Sequence, residues 1–160
     1  MLHTKAMRSF FGIKRYVNKT KISFRALTTL YDSLIKPIAL YGAPVWLPTT
    51  PIIKNIAIAS SCNPFQLPGI IKKISRESYE KSHISFLKWA LGIHKKSSNI
   101  GCWGETGRYP LLYQSIKMTL KYLHRVNALK TGSFVHAALQ EQKQLDLPWY
   151  RNIEHILKVY

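Results

Sequence analysis

Residues 76–92 read RESYEKSHISFLKWALG, and the spacing of their apolar side chains decides the fold class. Tyr79, His83, Phe86, Leu87, Ala90 and Leu91 fall at offsets of 0, 4, 7, 8, 11 and 12. That rhythm places them on one face of an α-helix, because 3.6 residues complete a turn. Gly92 sits where the left-handed residue that closes a helix belongs. Glu77 and Glu80 fall near the start of the same helix, where a carboxylate meets the positive end of the helix dipole. His83 lies on the apolar stripe, which makes it a core histidine.

The same period recurs on both sides of this stretch. Leu2, Ala6, Phe10, Ile13 and Val17 form a stripe over residues 2–17, with Lys5, Arg8, Lys14 and Arg15 on the opposite face. Ser23 has the chemistry of an N-cap for a second helix, striped by Phe24, Leu27, Leu30, Tyr31, Leu34 and Ile35. Pro37 is expected to end it, since proline disfavours helical geometry in the residue before it. Residues 37–51, PIALYGAPVWLPTTP, carry four prolines and a glycine and read as an extended connector packed through Tyr41 and Trp46. Residues 52–76 are ambiguous: Ile52, Ile53, Ile56 and Ile58 could start a short helix, and SSCNPFQLPG reads as a loop. After the turn HKKSSN, the glycine-rich NIGCWGETGRYP reads as a tight loop or a one-turn helix. A long helix from Pro110 to about Lys130, a short one over 134–142 and a last one striped by Trp149, Ile153, Ile156, Leu157 and Tyr160 complete the chain. The expected fold is all-α, with five or six amphipathic helices and a Pro-rich extended connector near residues 37–51. The expected organisation is a helical pair over 1–36, a connector and loop over 37–75, and a helical segment over 76–160.

The chain has 160 residues, 46% of them apolar, enough for a compact core that buries about 70% of the unfolded surface. Twenty-four Lys and Arg face seven acids, a net charge of +17. Residues 1–76 hold 12 of the cations and a single acid, Asp32. A surface so basic attracts polyanions, because each phosphate it neutralises releases a condensed counterion. Nucleic acid is the expected partner, with an anionic membrane surface second. The first 31 residues contain seven cations and no acid, a pattern a mitochondrial transit peptide shares. Prolines and lysines interrupt every apolar run, so no membrane span is expected. Cys62 and Cys102 lie 40 positions apart, which excludes a zinc knuckle of their own and points to two reduced thiols.

Catalytic patterns are sparse. Two-metal nucleotidyl transfer needs clustered carboxylates, and the only aspartates are Asp32 and Asp146. His3, His83, His94, His124, His136 and His155 show no i, i+4 pairing that a metal would use. Gly101, Gly104 and Gly107 fit no phosphate-cradling loop and read as turn glycines. No catalytic residue, metal site or cofactor is expected. What remains is a set of cations interleaved with aromatics: Lys14, Arg15, Lys19, Lys21 and Arg25 around Tyr16, then Lys72, Lys73 and Arg76, then Lys88, Lys95 and Lys96, then Arg108, Lys117, Lys121 and Arg125. The last three stand at four-residue spacing and form one ridge. Such a set can follow a phosphate backbone without reading bases.

Four phrases in order resemble the non-LTR (LINE-type) retrotransposon reverse transcriptases. The family's helix ending LY-x-x-x-[LI]-x-P-[IV]-x-x-YG-x-x-[VI]-W is matched by Leu30, Tyr31, Ile35, Pro37, Ile38, Tyr41, Gly42, Val45 and Trp46. Its E-x-x-H-x-x-F-x-K-x-x-LG phrase is matched by Glu80, His83, Phe86, Lys88, Leu91 and Gly92. A GE-x-G-R-x-PL phrase after a polar turn is matched by Asn99, Gly104, Glu105, Gly107, Arg108, Pro110 and Leu111. The segment WYRNIEHILKVY is similar to a later W-x-x-x-[IV]-x-x-[IL]-L helix. The resemblance spans roughly residues 24–160.

The resemblance implies the thumb-like and post-palm helical region, downstream of the polymerase palm and without its catalytic aspartates, which would lie upstream of Met1. In that family the thumb holds the primer–template duplex through backbone contacts. It implies a nucleic-acid partner (RNA, RNA–DNA hybrid or DNA), a polymerase palm as a second partner and no catalysis by this chain alone. The chain itself favours a nuclear or cytoplasmic location without fixing one. The alternatives are a decayed reading frame without function and a mitochondrial or membrane-surface basic protein.

Overall fold

The computed structural model describes residues 2–18, 21–50, 67–130 and 132–159. Among these residues there are nine separate helices and no strand. They are α1 (Leu2–Tyr16), α2 (Phe24–Leu30, continued by Tyr31–Ile35 and Lys36–Ala39), α3 (Ala43–Trp46, continued by Leu47–Thr49), α4 (Leu67–Ile74), α5 (Ser78–Leu91), α6 (Asn99–Thr106), α7 (Leu111–Asn127), α8 (Phe134–Gln144) and α9 (Pro148–Val159). The all-α expectation therefore needs two corrections: the helices outnumber five or six, and residues 37–50 form no extended connector.

The prolines account for the second correction. Each stands in the first turn of a helical piece, where its missing N–H costs nothing. Pro37 does not end α2, because Tyr31–Ile35 widen into a π turn in which the Lys36 N–H donates to the Tyr31 carbonyl. In a regular α-helix the Pro37 ring would meet the Ser33 carbonyl; the wide turn gives the chain another route. Leu27, Tyr31, Ile35 and Ala39, four residues apart, are all buried. Gly42 then takes a left-handed φ of 65°, and Pro44 and Pro48 start the α-helical and 3₁₀ parts of α3. The glycine-rich stretch is likewise a two-turn helix, α6, with Gly101 and Gly104 inside it. The short helix expected from Ile52, most of the loop after it and Cys62 lie outside the described residues.

Two units emerge from the packing: Met1–Tyr41 with Ile71–Leu112, and Gly42–Ile70 with Tyr113–Tyr160. In the first, α1 packs on α2 and α5, and α5 on α6. Its centre is a ring cluster in which Phe86 lies 4.7 Å from Tyr31, 5.9 Å from Phe10 and 5.6 Å from Trp89, centroid to centroid. In the second, Leu123, Val126, Leu139 and Ile153 form the core with Tyr122, Trp149 and Tyr150 against it. There α9 is tied to α3 by two side chains: Trp149 Nε1–H donates to the Pro44 carbonyl at 3.0 Å, and Asn152 donates to the Pro48 carbonyl. Ser23, Ser98 and Ser133 each accept a backbone N–H at the start of α2, α6 and α8. No helix among the described residues is long and apolar enough to cross a membrane.

Candidate nucleic-acid interface

Two of the cations singled out by sequence spend their charge inside the first unit. Lys88 is buried, and its ammonium donates to the carbonyls of Lys95 at 2.9 Å and Ser97 at 2.6 Å. α5 closes with Gly92 left-handed, the Gly92 N–H on Trp89 and the Ile93 N–H on Lys88, the paired bonds of a Schellman motif. Lys88 thus reaches back to hold the turn that follows its own helix, and that turn presents Lys95 and Lys96 to solvent.

Arg108 is placed in the same way. α6 ends in a second Schellman motif, with left-handed Gly107 and the Arg108 N–H on the Trp103 carbonyl. The guanidinium then makes a two-pronged contact with Asp32, at 2.9 and 2.7 Å, and lies 5.7 Å from the Tyr31 ring centroid. Lys36 approaches the same carboxylate at 3.5 Å. Burial pushes the Asp32 carboxyl up, but the bond and charge of Arg108, with Lys36 behind it, outweigh that and hold it below its usual value. The single acid of residues 1–76 is therefore used structurally.

Glu80 corrects another expectation. It is fully buried, and both carboxyl oxygens accept the Leu111 N–H, at 3.2 and 2.9 Å. It caps the start of α7 rather than serving the dipole of its own helix. Burial pushes its pKa up to about 8, against the pull of the Leu111 and Leu112 amides. His83, its ring 5.1 Å from Tyr31, is pushed down to about 3 by burial and by Arg108. Burial also pushes the Cys102 thiol up, the reverse of what a nucleophile needs. Of the residues that carry the family resemblance, Tyr31, Ile35, Glu80, His83, Phe86, Lys88 and Leu111 are buried here, with Arg108 part-buried beside them.

The remaining cations behave differently. Lys14, Arg15, Lys21, Arg25, Lys95, Lys96, Lys117, Lys121 and Arg125 are all exposed. None forms an ion pair with a described residue; the four ion pairs there use Lys36, Arg108, Arg151 and Lys158. Lys19 lies outside the described residues. In the first unit, Arg8, Phe11 and Arg15 share the solvent face of α1, with the Arg15 guanidinium 5.8 Å from the Tyr16 ring. That unit carries 16 of the 24 cations and four of the seven acids. In the second, Lys117, Lys121 and Arg125 run along α7 with about 6 Å of rise between neighbours, and Arg125 lies 5.6 Å from the Tyr122 ring.

No family model, curated protein or solved structure matches this chain.

The first unit also contains a feature that sequence reading missed. A groove of about 560 Å³ is lined by α1, α5 and the turn between α5 and α6. Lys14, Lys81 and Lys95 border it, Phe10 and Trp89 lie in its wall, and Phe11 stands at its lip, 54% exposed. The adjacent pair Phe10–Phe11 held a signal. Only Phe10 fits the stripe with Ala6 and Ile13, which leaves Phe11 to the surface.

Proposed function

We propose that this chain is a helical, thumb-like segment of a retrotransposon-type reverse transcriptase that grips nucleic acid through its phosphate backbone and performs no polymerisation by itself. The observation that carries the reading is the nine exposed cations, drawn from both units and from three stretches of chain, that meet no carboxylate among the described residues. Exposed cations left unmatched in this way bind by releasing counterions from a polyanion. Asp32 is held by Arg108 and Lys36, and Glu80 is buried against Leu111, so two of the first unit's four acids are engaged internally. Against a membrane-surface role stands the fate of the α1 stripe: Ala6, Phe10 and Ile13, which would enter a lipid interface, are buried in the first unit.

The test is the salt dependence of binding to a short RNA–DNA hybrid, followed by fluorescence anisotropy. The logarithm of the association constant is expected to fall linearly with the logarithm of salt concentration. Replacing Lys117, Lys121 and Arg125 together by alanine should lower the slope by roughly 3 if each contacts one phosphate. Absence of binding in low-salt buffer, or an affinity indifferent to salt, would reject the reading.

A further inference from the structure

We infer that the groove between α1 and α5 is a seat for unpaired nucleic acid, with a base stacked on Phe11 and the flanking phosphates held by Lys14, Lys81 and Lys95. The inference rests on the nucleic-acid reading above and adds what that reading lacks, a preference for single strands at one place.

Three observations converge on it. The first is shape: at about 560 Å³ the groove falls in the range of small-ligand sites, a scale suited to one or two nucleotides rather than to a duplex. The second is the exposed aromatic. Phe11 is 54% exposed although it stacks on Phe10 at 5.5 Å, and Phe10 meets Trp89 edge-on at 5.8 Å. The ring cluster of the core therefore reaches the surface at one point, with Ile93 also exposed on the groove. A rigid ring backed by other rings is a stacking platform that accepts any base, because every base has a π face.

The third is charge. Among the described residues no acid lines the groove, and Lys14, Lys81 and Lys95 are exposed with no ion-pair partner there. Lys88, which also lines the groove, fixes the backbone of the turn that carries Lys95. A ligand suited to this site presents a flat apolar face and negative charge together. Duplex nucleic acid hides its base faces within the stack and offers only the charge. A single strand offers both.

The experiment compares a fluorescein-labelled single-stranded oligonucleotide of mixed sequence with an RNA–DNA hybrid of the same length, on the full chain, by anisotropy at fixed salt. Phe11→Ala is expected to weaken single-strand binding about tenfold and to leave hybrid binding within a factor of two or so. Phe11→Trp should restore the single-strand affinity, whereas Phe11→Leu, apolar but without a π face, should not. Circular dichroism of each variant controls for folding, which an exposed side chain should hardly affect. Equal loss for both polymers, or no loss for either, overturns the single-strand seat while the backbone-binding reading survives. Binding of neither polymer by the wild-type chain sinks both. Should Phe11→Ala abolish binding to vesicles containing phosphatidylserine and leave single-strand affinity unchanged, the groove is a lipid site and the inference is wrong.

Discussion

Phe86→Ala is expected to cost about 3–5 kcal/mol of folding stability, the range for truncating a fully buried aromatic ring. Phe86 is completely buried and touches the rings of three other elements or turns: Tyr31 from α2, Phe10 from α1 and Trp89 one turn along α5. The substitution removes the apolar area and leaves a hole that three rigid neighbours cannot collapse to fill. Because α1 and α2 both meet α5 at this ring, the damage spreads through the first unit. Urea denaturation followed by circular dichroism measures it, with Phe134→Ala as the matched control. Phe134 is 88% exposed, and its truncation should fall within about 0.5 kcal/mol of wild type. Similar losses from the two substitutions would show that Phe86 is not the centre of a core.

The second large effect is a stability that falls on both sides of a mildly acidic plateau. Glu80 has its pKa raised from 4.5 to about 8 by burial, the Leu111 and Leu112 amides offsetting part of this. Between those values the unfolded chain gives up the proton that the folded chain keeps, so stability declines as pH rises from 4.5 to 8. His83 has its pKa lowered from 6.5 to about 3, by burial and then by the nearby Arg108. Between these values the unfolded chain takes a proton that the folded chain refuses, so stability declines as pH falls from 6.5 to 3. From pH 4.5 to 6.5 the two slopes oppose each other and cancel. Beyond that window one acts alone, and the loss approaches about 2 kcal/mol by pH 3 and again by pH 8. Urea midpoints measured across this range should trace the plateau and its two limbs. Glu80→Gln should remove the alkaline limb and His83→Phe the acid one. An alkaline limb that persists in Glu80→Gln would assign it to another group.

The parts of this fold that were legible in the sequence are those written in local periodicity. The stripe from Tyr79 to Leu91, Gly92 as its terminator, Ser23 as a cap and the long helix after Pro110 all correspond to helices in the structure. Residues 37–50 were misread for a physical reason. Proline both breaks helices and begins them, and which it does depends on the turn before it. The wide turn at Tyr31–Ile35 and left-handed Gly42 decide that here, and neither follows from a count of prolines. Interactions across long stretches of chain were not legible at all. Arg108 finds Asp32 across 76 positions, and Glu80 finds Leu111 across 31. Pattern alone therefore grouped Arg108 and Lys88 with the surface cations and gave Glu80 a role within its own helix. The groove went unseen because its wall draws on residues from α1, α5 and the turn beyond, whereas the α7 ridge was visible as a four-residue spacing.

The wide turn in α2 has a consequence for how this segment can change over time. A stripe repeating every four residues gains about 40° per repeat on a regular helix, and the broadened turn absorbs part of that drift so that Ala39 stays inward after Tyr31 and Ile35. Deleting one residue there would swing everything downstream by about 100°, carrying Ala39 and Leu40 out of the core. At the exposed Ser33 and Leu34, then, side chains can be exchanged far more freely than the number of links in the chain can be altered.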